Sequence, residues 1–224
     1  MLTLYGCYRS RASRPLWLLA ELGLPFTHHP VIQGYRLPDP HAADAPFNTT
    51  SAAFLAVNPM GQIPAMVDGN MVGGDLVLTE SLAITQHIAR VYGGMLGPQS
   101  PAEAALIDQW ALFAATGIET PALESLYTQA DGGDKTAEGQ ASMAINAEKL
   151  RRPLGRLQTH LTGHDWLMAD RFTVADIMVA ECLRYAQGHP TLLAEFPAAK
   201  AWLERCQSRP AFKSMWAGRL AEPA

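Results

Sequence analysis

The fold is decided by a stretch that reads NPMGQIPAMVDG over residues 58–69 and DLVLTESLAITQHI over residues 75–88. Pro64 directly precedes a short apolar run, an Asp-Gly pair typical of a turn follows, and a second apolar run comes after it. Glu80 and Ser81 then open a pattern with helical spacing. The stretch therefore predicts a strand, a hairpin and a helix that together form a backbone-lined pocket beside a helix N-terminus.

The residues before this stretch predict the remainder of a small α/β domain. Residues 2–5 favour a strand, and an apolar-periodic run that ends at Gly23 predicts a helix. Residues 25–32 predict a second strand, which Pro30 places at a sheet edge. Residues 33–50 are rich in Pro, Gly, Ala, Asp and Asn, and predict a long loop. Residues 1–93 are thus predicted to form a domain with a mixed sheet.

The composition changes after Gly93. Residues 94–100 are rich in Gly and Pro and predict a linker, and residues 101–224 show helical spacing throughout. Pro121 is expected to kink or break the first of these helices. Thr173 and Asp176 match a capping box, which we interpret as structural. The predicted fold class is an α/β domain followed by an all-α domain.

Composition excludes several classes of function. The 224 residues carry a net charge of −4 without a basic tract, which argues against nucleic acid as a partner. Runs of about 18 apolar residues are absent from the sequence, so a membrane span is not expected. The three cysteines, Cys7, Cys182 and Cys206, have neither disulfide nor metal spacing. We therefore expect no metal and a reducing, cytoplasmic setting.

Two alternatives remain for the hairpin and its helix. X-Pro bonds are mostly trans, but a cis bond at Pro64 would expose the Ile63 N–H and C=O to an extended peptide-like ligand. Thr79 or Ser81 could simply cap the helix while Glu80 offsets its dipole. Equally, the helix N-terminus and the Ser81 hydroxyl could bind a carboxylate while Glu80 binds an ammonium group. An amino-acid head group presents that pair of charges.

Three residues compete for a chemical role after the first strand. Ser10 is either a cap or a hydrogen-bond donor to an anion, and a thiolate is the natural case because a donor and positive potential lower a thiol pKa. Cys7 could itself be a nucleophile, although a buried structural cysteine is the simpler interpretation. A tyrosine, Tyr5 or Tyr8, is the third candidate. In the second domain, Trp110, Phe113 and Gly117 form a stripe that is either core or the apolar wall of a binding site.

Four segments in order resemble the glutathione S-transferase superfamily, and they span nearly the whole chain. The segments are 10–25, NPMGQIP at 58–64, TESLAI at 79–84 and FTVADI at 172–177. The resemblance implies a thioredoxin-like N-terminal domain, an all-α C-terminal domain and a homodimer. It also implies a cytoplasmic detoxification enzyme whose partners are glutathione, as cosubstrate, and a small hydrophobic electrophile.

The resemblance also implies roles for individual residues. Pro64 matches the family's cis-proline, and Ile63 matches the residue whose backbone pairs with the cysteinyl part of glutathione. Glu80 and Ser81 match the pair that binds the γ-glutamyl end of glutathione, and Gln62 and Thr49 match residues near its glycyl end. Ser10 matches the serine that activates the thiol in theta-like classes. The bacterial-type, theta-like serine class is the most similar. Trp110, Phe113 and Gly117 are expected to contribute the hydrophobic substrate site.

The sequence also departs from the family pattern. Residues 26–58 are about ten longer than in typical members, and the tyrosine that activates the thiol in other classes has no clear match. We therefore predict a glutathione transferase that stabilises the thiolate through Ser10. The alternatives are a glutathione-dependent peroxidase or disulfide oxidoreductase on the same fold, and a non-catalytic binding module.

Overall fold

The computed structural model describes residues 1–189 and 191–222, which form two compact units. The first comprises Met1–Gly93 and the described chain from Pro210 onward, and the second is Gly94–Arg209. The strands are β1 (Leu2–Tyr5), β2 (Thr27–His29), β3 (Ala65–Asp68) and β4 (Leu76–Thr79). The helices are α1 (Ser13–Leu22), α2 (Ala52–Leu55), α3 (Ser81–Tyr92), α4 (Pro101–Phe113), α5 (Thr120–Ala130), α6 (Ala137–Leu161), α7 (Val174–Leu183), α8 (Pro197–Ser208) and α9 (Pro210–Ala221). Among the described helices, none has the length and apolar character needed to cross a bilayer.

The sheet of the first unit is mixed and has the strand order β2-β1-β3-β4. β1 pairs in parallel with β2, with α1 as the crossover, and β1 and β4 both pair antiparallel with β3. β2 therefore lies at an edge, and Pro30 directly follows its last residue, so the proline takes no part in the ladder. The predicted α/β fold class and thioredoxin-like arrangement are confirmed.

Helix α1 is buried on all sides over residues 13–19, and it packs within the first unit. Trp17 is fully buried, and its ring meets the Phe212 ring of α9 edge-on at 4.9 Å. Gly23 ends α1 with φ 58°, a left-handed conformation that glycine adopts without steric cost. This packing groups α9 with the first unit, whereas the helical spacing of residues 101–224 predicts that all of them belong to the second domain.

The second unit is all-helical, as predicted. A π-helical segment, Ala114–Glu119, joins α4 to α5, and Pro121 lies in the first turn of α5. Pro121 does not break the helix, because a proline in a first turn has no amide hydrogen to leave unpaired. The predicted disturbance takes the form of the wider, π-helical turn just before it. The capping box of Thr173 and Asp176 is present at the start of α7 and confirms its structural interpretation.

The long loop at residues 33–50 is organised by Asn48. Its side-chain amide donates to the carbonyls of Pro40 (3.0 Å) and Pro46 (2.9 Å). Its Oδ1 accepts from the amide N–H (2.8 Å) and the hydroxyl (2.7 Å) of Thr50. The side chain is buried, with all four hydrogen-bonding positions used. The loop is therefore a hydrogen-bonded structure and contains one 3₁₀ turn, Gly34–Arg36.

Candidate functional site

The segment before β3 presents an unpaired peptide unit. The Ile63–Pro64 bond is cis, as the resemblance implied. The Asn58 side-chain amide donates to the Gln62 carbonyl at 2.6 Å and fixes the turn that precedes it. Within residues 1–189 and 191–222, the N–H and C=O of Ile63 have no hydrogen-bond partner. Such groups can pair with an extended ligand that lies along them as an added strand.

Gly6 brings the loop after β1 against this segment. A Cβ at Gly6 would lie 3.6 Å from Pro64 Cα and 2.8 Å from Ala12 Cβ. Its φ of +153° also lies in the region that favours glycine. The close approach therefore requires glycine at this position, and it places the loop that leads to Ser10 beside Ile63 and Pro64.

The start of α3 combines an exposed acid with a buried hydroxyl. Glu80 occupies the N-cap position with φ 66°, Ser81 is the first helical residue, and no side chain caps the helix, so the capping role expected of Thr79 or Ser81 is not present. Ser81 is buried, and its Oγ accepts a hydrogen bond of 2.8 Å from Nη1 of Arg14, which is itself buried. A residue held in the left-handed region at a helix N-terminus is a common feature of ligand sites.

The electrostatics at this helix start suit a zwitterion. The positive end of the α3 dipole and the Arg14 guanidinium both favour a carboxylate near Ser81. The Ser81 hydroxyl retains its own proton for donation, because its oxygen is the acceptor in the bond from Arg14. Glu80 is exposed and can receive an ammonium group. The arrangement can thus bind an α-amino acid head group.

The loop after β1 holds Ser10 between two backbone groups. Its hydroxyl donates to the Cys7 carbonyl at 2.7 Å and accepts from the Ala12 N–H at 3.0 Å. The residue is half-buried and lies one turn before α1, whose first turn contains no acidic residue. Rotation of the hydroxyl away from the Cys7 carbonyl is sufficient to let it donate to an incoming anion.

The two rivals of Ser10 are poor candidates for an ionised group. Cys7 is buried, and burial together with the charge of Glu222 raises the pKa of its thiol. Burial and Glu222 likewise raise the pKa of the Tyr8 phenol. Both groups therefore stay protonated at neutral pH. Cys7 is therefore a poor nucleophile at neutral pH, whereas Tyr8, like Ser10, keeps a hydroxyl that can donate a hydrogen bond.

The two residues predicted for the glycyl end lie close to each other. Thr49 is buried, and its Oγ1 accepts from the Gly34 N–H at 2.9 Å. A Cβ at Gly61 would lie 3.0 Å from the Thr49 carbonyl oxygen, so the Thr49 backbone lies beside the turn that contains Gln62. The Gln62 side chain is exposed. Gln62 is thus available to a ligand, whereas the Thr49 hydroxyl is used within the loop.

The predicted apolar wall belongs to the second unit. Trp110 is 4 % exposed and meets the Phe113 ring edge-on at 5.4 Å. The Arg156 guanidinium lies 4.9 Å from the Trp110 ring centroid and 4.7 Å from that of Phe113. Phe113 and Gly117 are half-buried, and Gly117 lies in the π-helical segment. Trp110 is therefore largely core, while Phe113 and Gly117 are partly accessible.

The structure adds three residues that the sequence analysis did not select, namely Arg14, Gln33 and Glu222. Arg14 is the second residue of α1 and follows the polar run at residues 9–13, so its sequence context gives no signal that the side chain is buried. Gln33 accepts a weak hydrogen bond from the Cys7 thiol at 3.5 Å, and Glu222 accepts from the Tyr8 amide at 2.6 Å. Both contacts join residues distant in sequence and leave no local pattern. In the described part of the chain, no cluster of three or more potential metal ligands occurs.

Comparisons with known proteins agree with this geometry. Models of the glutathione S-transferase N-terminal and C-terminal domains match residues 8–91 and 109–210, respectively. Glutathione S-transferase 3 of Zea mays is 35% identical over 170 residues, which cover 71% of this chain and 72% of the plant protein.

Solved structures extend the similarity over almost the full length. One is a glutathione transferase family member from Pseudomonas fluorescens with two glutathione molecules bound. It has a TM-score of 0.79 and 28% identity and covers 96% of this chain and 91% of its own. Another is glutathione transferase F7 from Populus trichocarpa, with a TM-score of 0.75, 30% identity and coverage of 97% and 99%.

Proposed function

The chain belongs to the glutathione S-transferase superfamily, and from this premise we propose that it transfers glutathione to a hydrophobic electrophile. The unpaired N–H and C=O of Ile63 carry the proposal, because they offer a peptide-like ligand a backbone edge in the same unit as the Glu80–Ser81 helix start. The subclass within the superfamily stays a prediction. Relatives from plants and a theta class enzyme from Xanthomonas axonopodis are both among the similar proteins.

In the proposed complex, glutathione lies extended along Ile63 and Pro64. Its γ-glutamyl carboxylate binds the Ser81 hydroxyl and the start of α3, and its ammonium group binds Glu80. Gln62 contacts the glycyl end, with Thr49 positioning the adjacent turn. The buried Arg14 supports this assignment, because it holds the Ser81 oxygen at 2.8 Å and adds positive charge beneath it.

Ser10 is proposed to stabilise the glutathione thiolate. Its hydroxyl rotates from the Cys7 carbonyl to donate to the sulfur, and this hydrogen bond favours the ionised thiol at neutral pH. The thiolate then attacks the electrophilic carbon, forming a C–S bond as the leaving group departs with the electron pair. Phe113 and Gly117 are proposed to contact the electrophile, in keeping with their partial exposure.

We further propose that the protein is a cytoplasmic homodimer. The first unit exposes apolar side chains at Met60 (75%) and Val77 (48%), and a partner subunit would remove such side chains from water. Among the residues that the structure describes, Cys7, Cys182 and Cys206 form no disulfide, in keeping with a reducing compartment. Sedimentation at two or more protein concentrations tests the dimer, and a monomer at all of them contradicts it.

A direct experiment distinguishes the transferase from its rivals. The protein is applied to immobilised glutathione, eluted with free glutathione, and assayed with an aryl halide and, separately, with a peroxide and a model disulfide. We expect retention and conjugation of the aryl halide. Retention with activity on the disulfide or peroxide alone identifies the redox alternative. Failure of retention together with a filled or blocked groove favours the non-catalytic module.

A further inference from the structure

The end of α9 is attached to the loop that carries Ser10. Glu222, the residue after the helix, accepts from the backbone N–H of Tyr8 through Oε1 (2.6 Å) and from that of Arg9 through Oε2 (2.7 Å). Arg219 donates from Nη1 to the Tyr8 carbonyl at 2.8 Å, and the Arg9 Nε donates to the Arg219 carbonyl at 3.2 Å. Four hydrogen bonds therefore join two loop residues to one helix end, across more than 200 positions of sequence.

The position of Glu222 is not explained by the stability of α9. A carboxylate just beyond a helix C-terminus faces the negative end of the helix dipole, which is unfavourable, whereas Arg219 in the last turn is favourable. The two backbone N–H groups compensate Glu222, because hydrogen bonds to a charged acceptor are among the stronger ones in proteins. The loop is thus the structural reason for an acid at this position.

Packing of the Tyr8 ring reinforces the attachment. A Cβ at Gly218 would lie 2.9–3.1 Å from atoms of the Tyr8 ring, so the ring rests directly on the glycine backbone. The ring also meets His28 edge-on at 5.6 Å. Tyr8 is therefore held by its ring on one side and by its N–H and C=O on the other.

This attachment bears directly on Ser10. Tyr8 and Arg9 are the only residues between Cys7 and Ser10, and the Ser10 hydroxyl is bonded to the Cys7 carbonyl and the Ala12 N–H. A shift of the Tyr8–Arg9 backbone therefore moves the Ser10 hydroxyl relative to Ile63 and Pro64. A displacement of this kind is enough to slow a reaction that depends on alignment.

We propose that Glu222 is a positioning residue for thiol activation. It holds the Tyr8 and Arg9 amides so that the Ser10 hydroxyl can donate to the glutathione sulfur. The inference rests on the proposed function. The negative charge of Glu222 acts in the opposite direction, since a negative group near the loop disfavours a thiolate. Holding the loop and supplying charge are thus separable effects of one side chain.

Three variants separate these effects. Glu222→Ala removes both acceptors and the charge. Glu222→Gln removes the charge but keeps an acceptor for one amide. Glu204→Ala is the matched control, because Glu204 is an exposed glutamate of α8 in the second unit and its substitution removes the same charge. Conjugation kinetics are measured for each variant in the native and the Ser10→Ala backgrounds.

We expect Glu222→Ala to lower kcat roughly tenfold with little change in KM for glutathione, and Glu222→Gln to lower kcat less. Glu204→Ala should match the unchanged protein. In the Ser10→Ala background Glu222→Ala should have little further effect, since the group it positions is gone. Equal losses in both backgrounds, or equal behaviour of the Ala and Gln variants, overturn the proposal.

Amide hydrogen exchange gives a readout that does not depend on activity. Glu222→Ala should accelerate exchange at Tyr8 and Arg9, which lose their acceptor, and also at Ala12, whose N–H donates to Ser10. Faster exchange at Tyr8 and Arg9 with an unchanged Ala12 shows that the attachment does not position Ser10 and overturns the proposal. A protein that lacks conjugating activity but shows all three changes contradicts the proposed function and leaves the positioning of Ser10 supported.

Discussion

Arg14 and Ser81 are joined by a buried hydrogen bond, Nη1 to Oγ at 2.8 Å, that connects α1 to the first residue of α3. Both side chains are almost fully excluded from solvent. The bond fixes the hydroxyl proposed to bind the glutathione carboxylate, and the guanidinium supplies positive charge behind it. Affinity for glutathione should therefore depend on a residue of α1 that acts through Ser81.

Replacing Arg14 with methionine, which retains much of the side-chain volume, tests this dependence. We expect the Kd for glutathione, measured by calorimetry, to rise roughly tenfold, and the free energy of unfolding in urea to fall by about 2 kcal/mol. Arg90→Met is the control, since Arg90 is an exposed residue of α3. Unchanged affinity in a folded Arg14→Met protein would show that the guanidinium plays no part in ligand binding.

Ser10→Ala should reduce the conjugation rate and raise the pKa of the bound thiol. Loss of a charge-assisted hydrogen bond costs on the order of 1.5–3 kcal/mol, which corresponds to roughly a tenfold to hundredfold loss of rate. The thiol pKa is read from the pH dependence of thiolate absorbance.

Ser208→Ala is a matched control for Ser10→Ala. Ser208 also donates to the carbonyl three residues before it at 2.7 Å, but it is an exposed residue at the end of α8. If Ser10→Ala leaves rate and pKa unchanged while Tyr8→Phe or Cys7→Ala abolishes activity, the thiol is activated by another residue.

Glu80→Gln should weaken binding by removing the partner of the glutathione ammonium group. We expect a roughly tenfold rise in Kd for glutathione, in the range of one charged hydrogen bond. An analogue of glutathione that lacks the α-amino group provides the comparison, because its affinity should change little between the two proteins. A parallel loss of affinity for both ligands would place the effect of Glu80 elsewhere.

Asp68 should make the free energy of unfolding depend on pH in the acidic range. Its buried carboxylate accepts from His87 Nε2 (2.8 Å) and from the Tyr92 hydroxyl (2.8 Å), as well as from the Asn70 amide (3.0 Å). Burial acts to raise the pKa of Asp68, but hydrogen bonds from these three groups hold it below its usual value. The stability that the carboxylate contributes is present above the unfolded pKa and is lost as the pH falls through the lower folded pKa.

Asp68→Asn therefore has a larger effect at neutral pH than in acid. We expect a loss of about 2 kcal/mol at neutral pH, since an amide group replaces an acceptor surrounded by donors. The difference from the unchanged protein should shrink below the ordinary aspartate value of 3.8. Urea unfolding at several pH values measures it, with the exposed Asp75→Asn as control. A difference independent of pH contradicts the assignment.

Asp176→Ala should destabilise the second unit. Asp176 accepts from the Leu167 N–H (3.0 Å), the Trp202 indole (2.9 Å) and the Thr173 N–H (2.9 Å), so its removal leaves buried donors unpaired. We expect a loss of about 3 kcal/mol in the free energy of unfolding and an unchanged Kd for glutathione at temperatures where the variant is folded. Weaker glutathione binding by the folded variant would indicate a role beyond structure.

The elements that could be predicted from sequence are those with local causes. The hairpin, the start of α3 and the capping box at Thr173 depend on residues within a few positions of one another, and turn and cap chemistry acts at that range. The contacts of Glu222 and α9 depend on residues more than 200 positions apart, which no local pattern reports. The π-helical segment likewise had only Pro121 as a signal.

The candidate site divides in the same way. Ile63, Pro64, Glu80 and Ser81 lie in one continuous stretch whose sequence indicates its geometry. The protonation of Cys7 and Tyr8 depends on burial and on the charge of Glu222, which are tertiary properties. The burial of Arg14 is a tertiary property too, because residues 13–19 of α1 are all buried and no sequence pattern marks Arg14 among them.

The side-chain amide of Asn48 gives the loop at residues 33–50 a shape that most of the other loop residues do not determine. Its donors end on the main-chain carbonyls of residues 40 and 46, and its acceptor receives Thr50. Since every position has a main-chain carbonyl, the residues that receive these bonds can change identity. Substitutions across most of residues 35–47 can therefore alter the chemistry displayed there without dismantling the scaffold, so this segment is a natural place to diversify the protein by directed evolution.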